Sequence, residues 1–144
     1  MSKLEDIVAS VKTAIVNTGQ FNTVERSRIV GQAYQKAQLP AAGIWRPKNV
    51  ASPKRPGTIE QTTYDVVFIV EIAGSDTSSK DASDQQLIVL RNAVNTALLN
   101  NTHGGKCSPM EPVGDEPSLD TATPFGYEQV AVKCSYTESK PAIH

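Results

Sequence analysis

Leu4, Ile7, Val8, Val11 and Ile15 recur at the three- and four-residue spacing of one helical face, which predicts an amphipathic helix over residues 3–18. Ser2 and Glu5 form a capping-box pattern at its start, a hydroxyl placed to accept from the Glu5 amide while Glu5 reaches back. Gly19 ends it at the position where a left-handed backbone is tolerated. Leu87, Leu90, Val94, Ala97 and Leu98 make a second helical stripe, behind a second capping box at Ser83-Asp84-Gln85-Gln86. Between these helices the period changes to two. Tyr64, Val66, Phe68, Val70 and Ile72 point one way and Asp65, Val67, Ile69 and Glu71 the other, which predicts a strand over 64–73. Val67 and Ile69 make its second face apolar at the centre, so it reads as an interior strand or one covered by a partner subunit. Phe125 to Glu138 reads as a closing strand, with Val130, Val132, Cys134 and Tyr136 on one side and Gln129, Lys133 and Ser135 on the other.

The remaining segments are less periodic. Phe21, Thr23 and Val24 suit a short strand, and Ile29, Val30, Ala33, Tyr34 and Ala37 have helical spacing weakened by Gly31. Leu39-Pro40 ends that segment, because a residue before proline avoids the helical region. Ala42 to Val50 reads as one extended strand, with Ile44 and Arg46 on one side and Trp45 on the other. Pro53 and Pro56 forbid a central strand in the loop that follows. Residues 101–124 show no periodicity and hold four prolines and three glycines, a long loop before the last strand. Successive strands without regular crossovers favour antiparallel pairing. The expected fold class is therefore α+β: one domain over 1–144, a small mainly antiparallel sheet with two amphipathic helices on one face, and a flexible tail at 139–144.

Composition narrows the function classes. The chain has 144 residues, 39% hydrophobic and 20% charged, enough for one core without staples. Its 14 Lys and Arg against 15 Asp and Glu give a net charge of −1, whereas proteins that grip nucleic acid phosphates carry a basic surplus. The longest apolar run, Val66–Val70, is far short of a membrane span, and the N-terminus lacks the apolar core of a signal peptide, which predicts a protein made in a cytosol. Cys107 and Cys134 are expected there as free thiols with a structural role.

Catalytic and metal chemistry find little support in the spacing. Gly104-Gly105-Lys106-Cys107 has Asn100 where a phosphate-binding loop needs its first glycine, and Cys107 where the magnesium-binding hydroxyl belongs. His103 and Cys107 lack the close cysteine pair of a zinc site, and His103 is expected as a solvated loop residue. The two histidines, both in loop or tail, offer no rigid base for a nucleophile. The acids at 111–120 lack the alternation of a calcium loop. The expectation is a non-enzyme without cofactor or metal.

Charge segregation stands out instead. Arg46, Lys48, Lys54 and Arg55 lie in a segment without acids, and Glu111, Asp115, Glu116 and Asp120 in one without bases. They read either as two solvated loops or as two halves of a subunit interface in which opposite potentials set register.

The order of elements resembles the tail terminator (tail completion) proteins of long-tailed bacteriophages. The resemblance rests on the N-terminal helix, the Leu39-Pro40-Ala41-Ala42 step into a strand, the strand Tyr64–Ile72, the helix Gln85–Leu99 and the closing strand Phe125–Tyr136. It covers most of the chain, least well at 101–124. It implies a structural virion protein, assembled in the host cytoplasm, that forms a hexameric ring capping the tail tube. Its partners would be the tail tube protein and a head-connector or stopper protein, with genome DNA passing through the lumen without specific binding. No cofactor is implied. Two other classes are another neck or tail component, such as a stopper or tail tube subunit, and a small cytosolic ligand-binding α+β domain.

Overall fold

The two apolar stripes become helices α1 (Lys3–Val16) and α2 (Lys80–Leu98) in a computed structural model of the chain, which describes residues 3–26, 34–45, 47–51, 61–76, 78–113 and 126–139, with 48–51, 61 and 139 placed by backbone alone. The strands are β1 (Thr23–Arg26), β2 (Ala41–Ile44), β3 (Lys48–Ala51), β4 (Gln61–Ala73), β5 (Glu111–Pro112) and β6 (Tyr127–Ser139). They form one six-stranded sheet in the order β1-β2-β4-β6-β5, with β3 also paired to β4. Only β1 and β2 run parallel; every other pairing is antiparallel. The α+β class and the two helices on one face are as the periodicity predicts.

Side-chain alternation decides which face those helices cover. Val66, Phe68, Val70 and Ile72 of β4 and Val130, Val132, Cys134 and Tyr136 of β6 are buried, and they share one core with Ile7, Val8, Val11 and Ile15 of α1 and Leu87, Leu90, Val94 and Leu98 of α2. The β4–β6 ladder is the spine: thirteen register pairs from Gln61↔Ser139 to Ala73↔Tyr127. Near one end of it Tyr64 and Tyr136, directly opposite each other, stack with ring centroids 5.4 Å apart. Val67 and Ile69 stand on the face away from the helices, half-buried, in a strand flanked on both edges: β4 is interior. On that second face Ala41, Ala73 and Tyr34 form a smaller cluster with Leu39 and Tyr127.

Several boundaries differ from the sequence reading. The expected strand Ala42–Val50 is broken into β2 and β3. Ile44 lies opposite Val70 and Lys48 opposite Val67, so the chain spends three residues between β2 and β3 where β4 spends two. That extra residue is a bulge, and it falls where Pro47 lacks an amide to give to the ladder. Trp45 keeps the last β2 bond, its amide donating to the Ile69 carbonyl at 2.9 Å.

Helix α2 starts a turn earlier than its predicted box. Ser79 is the cap, its backbone extended and its hydroxyl accepting from the Ala82 amide at 3.1 Å. Ser83 is buried inside the helix, and Gln86, the expected box partner, instead accepts from the amides of Ser75 and Asp76, both at 2.8 Å. At α1 the expected Ser2 cap lies outside the described residues, while Glu5 accepts both guanidinium N–H groups of Arg26, at 2.6 and 2.8 Å. That pair lowers the Glu5 carboxyl and raises the Arg26 guanidinium from their ordinary values. Gly19 has φ of +71°, as its helix-ending role requires.

The expected helix through Ile29 and Val30 lies outside the described residues, and of its end only Lys36–Gln38 forms a 3₁₀ turn. The first half of the long loop is built rather than irregular. Asn100 and Met110 close it, with the Asn100 amide donating to the Met110 carbonyl at 2.8 Å and the Met110 amide to Asn101 at 3.2 Å. Among the described residues no helix is long and apolar enough to cross a membrane.

Candidate interaction surface

The sheet orders the charged segments spatially. Following one cross-strand row, Lys48 of β3 lies opposite Val67, Val67 opposite Lys133, and Lys133 opposite Glu111 of β5. With strands about 4.8 Å apart, the backbones of Lys48 and Glu111 are roughly 14 Å from each other. The basic segment thus enters on one edge of the sheet and the acidic one on the other. Glu111 and Lys133 are both exposed. Of the remaining candidates, Arg46, Lys54, Arg55, Asp115, Glu116 and Asp120 lie outside the described residues.

Between these edges, the face turned from the helices is polar at one end and closes toward the other. Asp65 accepts from the Ser135 hydroxyl at 2.7 Å, and the Thr63 and Thr137 hydroxyls are 3.0 Å apart. Farther along, Glu71 is only 4% exposed although it sits opposite Gly43 and Gln129 on this same face. Gln129 Oε1 and Trp45 Nε1 are buried there without a hydrogen-bond partner among the described residues.

The built half of the loop holds two features that the sequence reading misplaced or missed. His103 is buried, not solvated. Its Nε2 lies 3.3 Å from the Met110 sulfur, where a thioether accepts from the tautomer that carries its proton on Nε2. Burial and the neighbouring Lys106 cation hold the imidazole pKa below its ordinary value. The loop makes this possible by winding through positive φ at Asn100, His103, Gly104 and Gly105, where the two glycines carry no Cβ penalty.

Cys107 and Cys134 are the second feature. They are buried free thiols, one from the loop and one from β6, near enough to push each other's pKa in opposite directions, and the Cys107 S–H donates to the Thr102 carbonyl at 3.6 Å. Cys134 was legible as a core-facing strand residue. Nothing in the spacing placed Cys107 beside it, because the loop's path is set by backbone bonds to β6 and not by periodicity. An open cleft of about 320 Å³ lies alongside, lined by Lys3, Lys106, Cys107, Ser108, Ser135 and Thr137 among others.

Among the described residues no group of three or more His, Cys, Asp or Glu is placed to hold a metal ion. No protein-family model and no curated protein matches the chain.

Proposed function

We propose that the chain is a structural subunit of a closed homo-oligomeric ring, of the tail terminator kind: a hexamer at the end of a phage tail tube that stops tube growth and joins the tail to the head connector. The observation that carries this reading is the placement of Lys48 and Glu111 on opposite edges of one sheet. Two complementary patches on different sides of a subunit cannot pair with themselves. They make a head-to-tail contact, which closes into a ring when the rotation allows and runs on as a filament when it does not. Opposite potentials then fix the register of neighbours and slow wrong encounters. The resemblance in element order supplies the ring's size and its place in a virion.

Size-exclusion chromatography with light scattering tests the reading directly. A species of about six subunits that does not elongate is the expected result, with a central hole in negative-stain images. Open tubes would assign the chain to the tail tube subunits instead. A monomer at every concentration would overturn the ring and leave a small ligand-binding domain.

A further inference from the structure

We propose that Cys107 and Cys134 form a dithiol–disulfide couple, with Cys107 the attacking thiol and Cys134 the resolving one, closed by a small hydroperoxide that reaches Cys107 through the adjoining cleft. The inference does not depend on the ring.

Geometry makes the pair a unit. The loop is clamped to β6 one residue beyond each cysteine: the Ser108 amide donates to the Ser135 carbonyl and the Ser135 amide to the Ser108 hydroxyl, both at 2.8 Å. This clamp holds the loop segment that bears Cys107 against the strand that bears Cys134, the proximity a disulfide requires. The two thiols are not equivalent. Cys107 lines the cleft, whereas Cys134 is not among its lining residues and lies in the strand beneath. Two ammonium groups stand over the cleft, Lys3 Nζ held at 3.0 Å by the Thr137 carbonyl and Lys106 Nζ at 3.1 Å by the His103 carbonyl.

As a thiol Cys107 donates its S–H to the Thr102 carbonyl at 3.6 Å; the two ammonium charges favour its ionised form, which Cys134 beside it can then stabilise. Accordingly the Cys107 pKa falls below its ordinary value, chiefly through the Cys134 side chain, and the Cys134 pKa rises. The reactive thiol is the one with the lowered pKa and the access, as nucleophilicity requires.

The reaction balances in two steps. The Cys107 thiolate attacks the terminal oxygen of the hydroperoxide; an S–O bond forms, the O–O bond breaks, and the departing alkoxide takes up a proton. Cys107 is then a sulfenic acid. Cys134 loses its proton as its sulfur attacks Cys107; the S–S bond forms, the S–O bond breaks, and the hydroxide leaves as water with that proton. Two thiols are oxidised by two electrons, and the hydroperoxide is reduced to an alcohol and water. The product ties the loop that carries β5 and Glu111 to the centre of the sheet.

The test treats the folded full chain with hydrogen peroxide and reads intact mass and mapped peptides. Wild type is expected to lose the mass of two hydrogen atoms as a Cys107–Cys134 crosslink within one chain, regained on reduction by dithiothreitol. In Cys134→Ser, Cys107 is expected to accumulate as a sulfenic acid trapped by dimedone. In Cys107→Ser, Cys134 is expected to stay unmodified. Because serine in this core can cost folding, alkylation of untouched wild type gives an independent reading: limited iodoacetamide should label Cys107 at least about tenfold faster than Cys134. Crosslinks only between chains, oxygen adducts without a crosslink, or equal labelling of the two thiols would overturn the couple.

Discussion

His103 shows how a single buried side chain makes stability depend on pH. The buried imidazole lies against the Met110 sulfur and beside the Lys106 cation, surroundings that disfavour an added proton. The folded chain therefore holds His103 neutral to lower pH than the unfolded chain does, whose histidine titrates near 6.5. Between those two values the unfolded state binds more protons, so stability rises with pH there; it is fully present above about 6.5 and is lost as the pH falls. Denaturant melts across pH 5 to 7.5 should show that slope, and His103→Gln should flatten it. An unchanged slope in the variant would place the titration elsewhere. The sequence could not reveal this burial, because it depends on Asn100 and His103 adopting positive φ so that the loop folds back on itself. No local pattern announces such a turn when the residues are not glycine.

At the scale of elements, periodicity was a faithful guide wherever burial is one-sided. Ile7, Val8, Val11 and Ile15, and Leu87, Leu90, Val94 and Leu98, are the buried stripes that their spacing implies. Leu90→Ala should therefore lower stability by about 2–5 kcal/mol, while exposed Asn92→Ala on the same helix should stay within about 0.5 kcal/mol. Chemical melts of both variants measure the difference, and similar losses would mean the helix face is misassigned. The helix start was less legible, since Ser79 and Ser83 both satisfy a cap rule and only tertiary contacts choose between them. Gln86 is taken up by the β4–α2 connection, which leaves Ser79 to cap. Ser79→Ala should cost about 1 kcal/mol in the same melts, and no loss would contradict its capping role. The break between β2 and β3 was hidden for a similar reason. A bulge is a count of residues against a partner strand, and one strand alone cannot supply the count.

For the whole molecule, the same count matters to assembly. The sheet's row places Lys48 and Glu111 on two edges, an order in space that composition alone could not give. If those edges meet between neighbours, reversing Lys54 and Arg55 to Glu should weaken each contact by about 1–2 kcal/mol, taking roughly 1 kcal/mol as the upper value for one exposed pair. Acid-to-base changes at Asp115 and Glu116 should then restore part of the loss. Sedimentation velocity on the single and combined variants reads the ring directly, and raised salt should mimic the reversal. A ring indifferent to the reversals would remove these segments from the interface.

The β4–β6 ladder also has a consequence in time. Its partners are 54 to 78 residues apart along the chain, and the strand that completes the sheet is the last to be made. Pairing so distant in sequence is slow to find. At a synthesis rate of about 5–20 residues per second, β4 waits roughly 3–13 s with its apolar edge open before β6 exists. For that interval the nascent chain exposes its most hydrophobic strand to chaperones, and β5, with the acidic Glu111, lacks the strand it pairs with in the sheet. Any surface that depends on the closed sheet is therefore withheld until synthesis has passed Ser139, by the order of the strands alone.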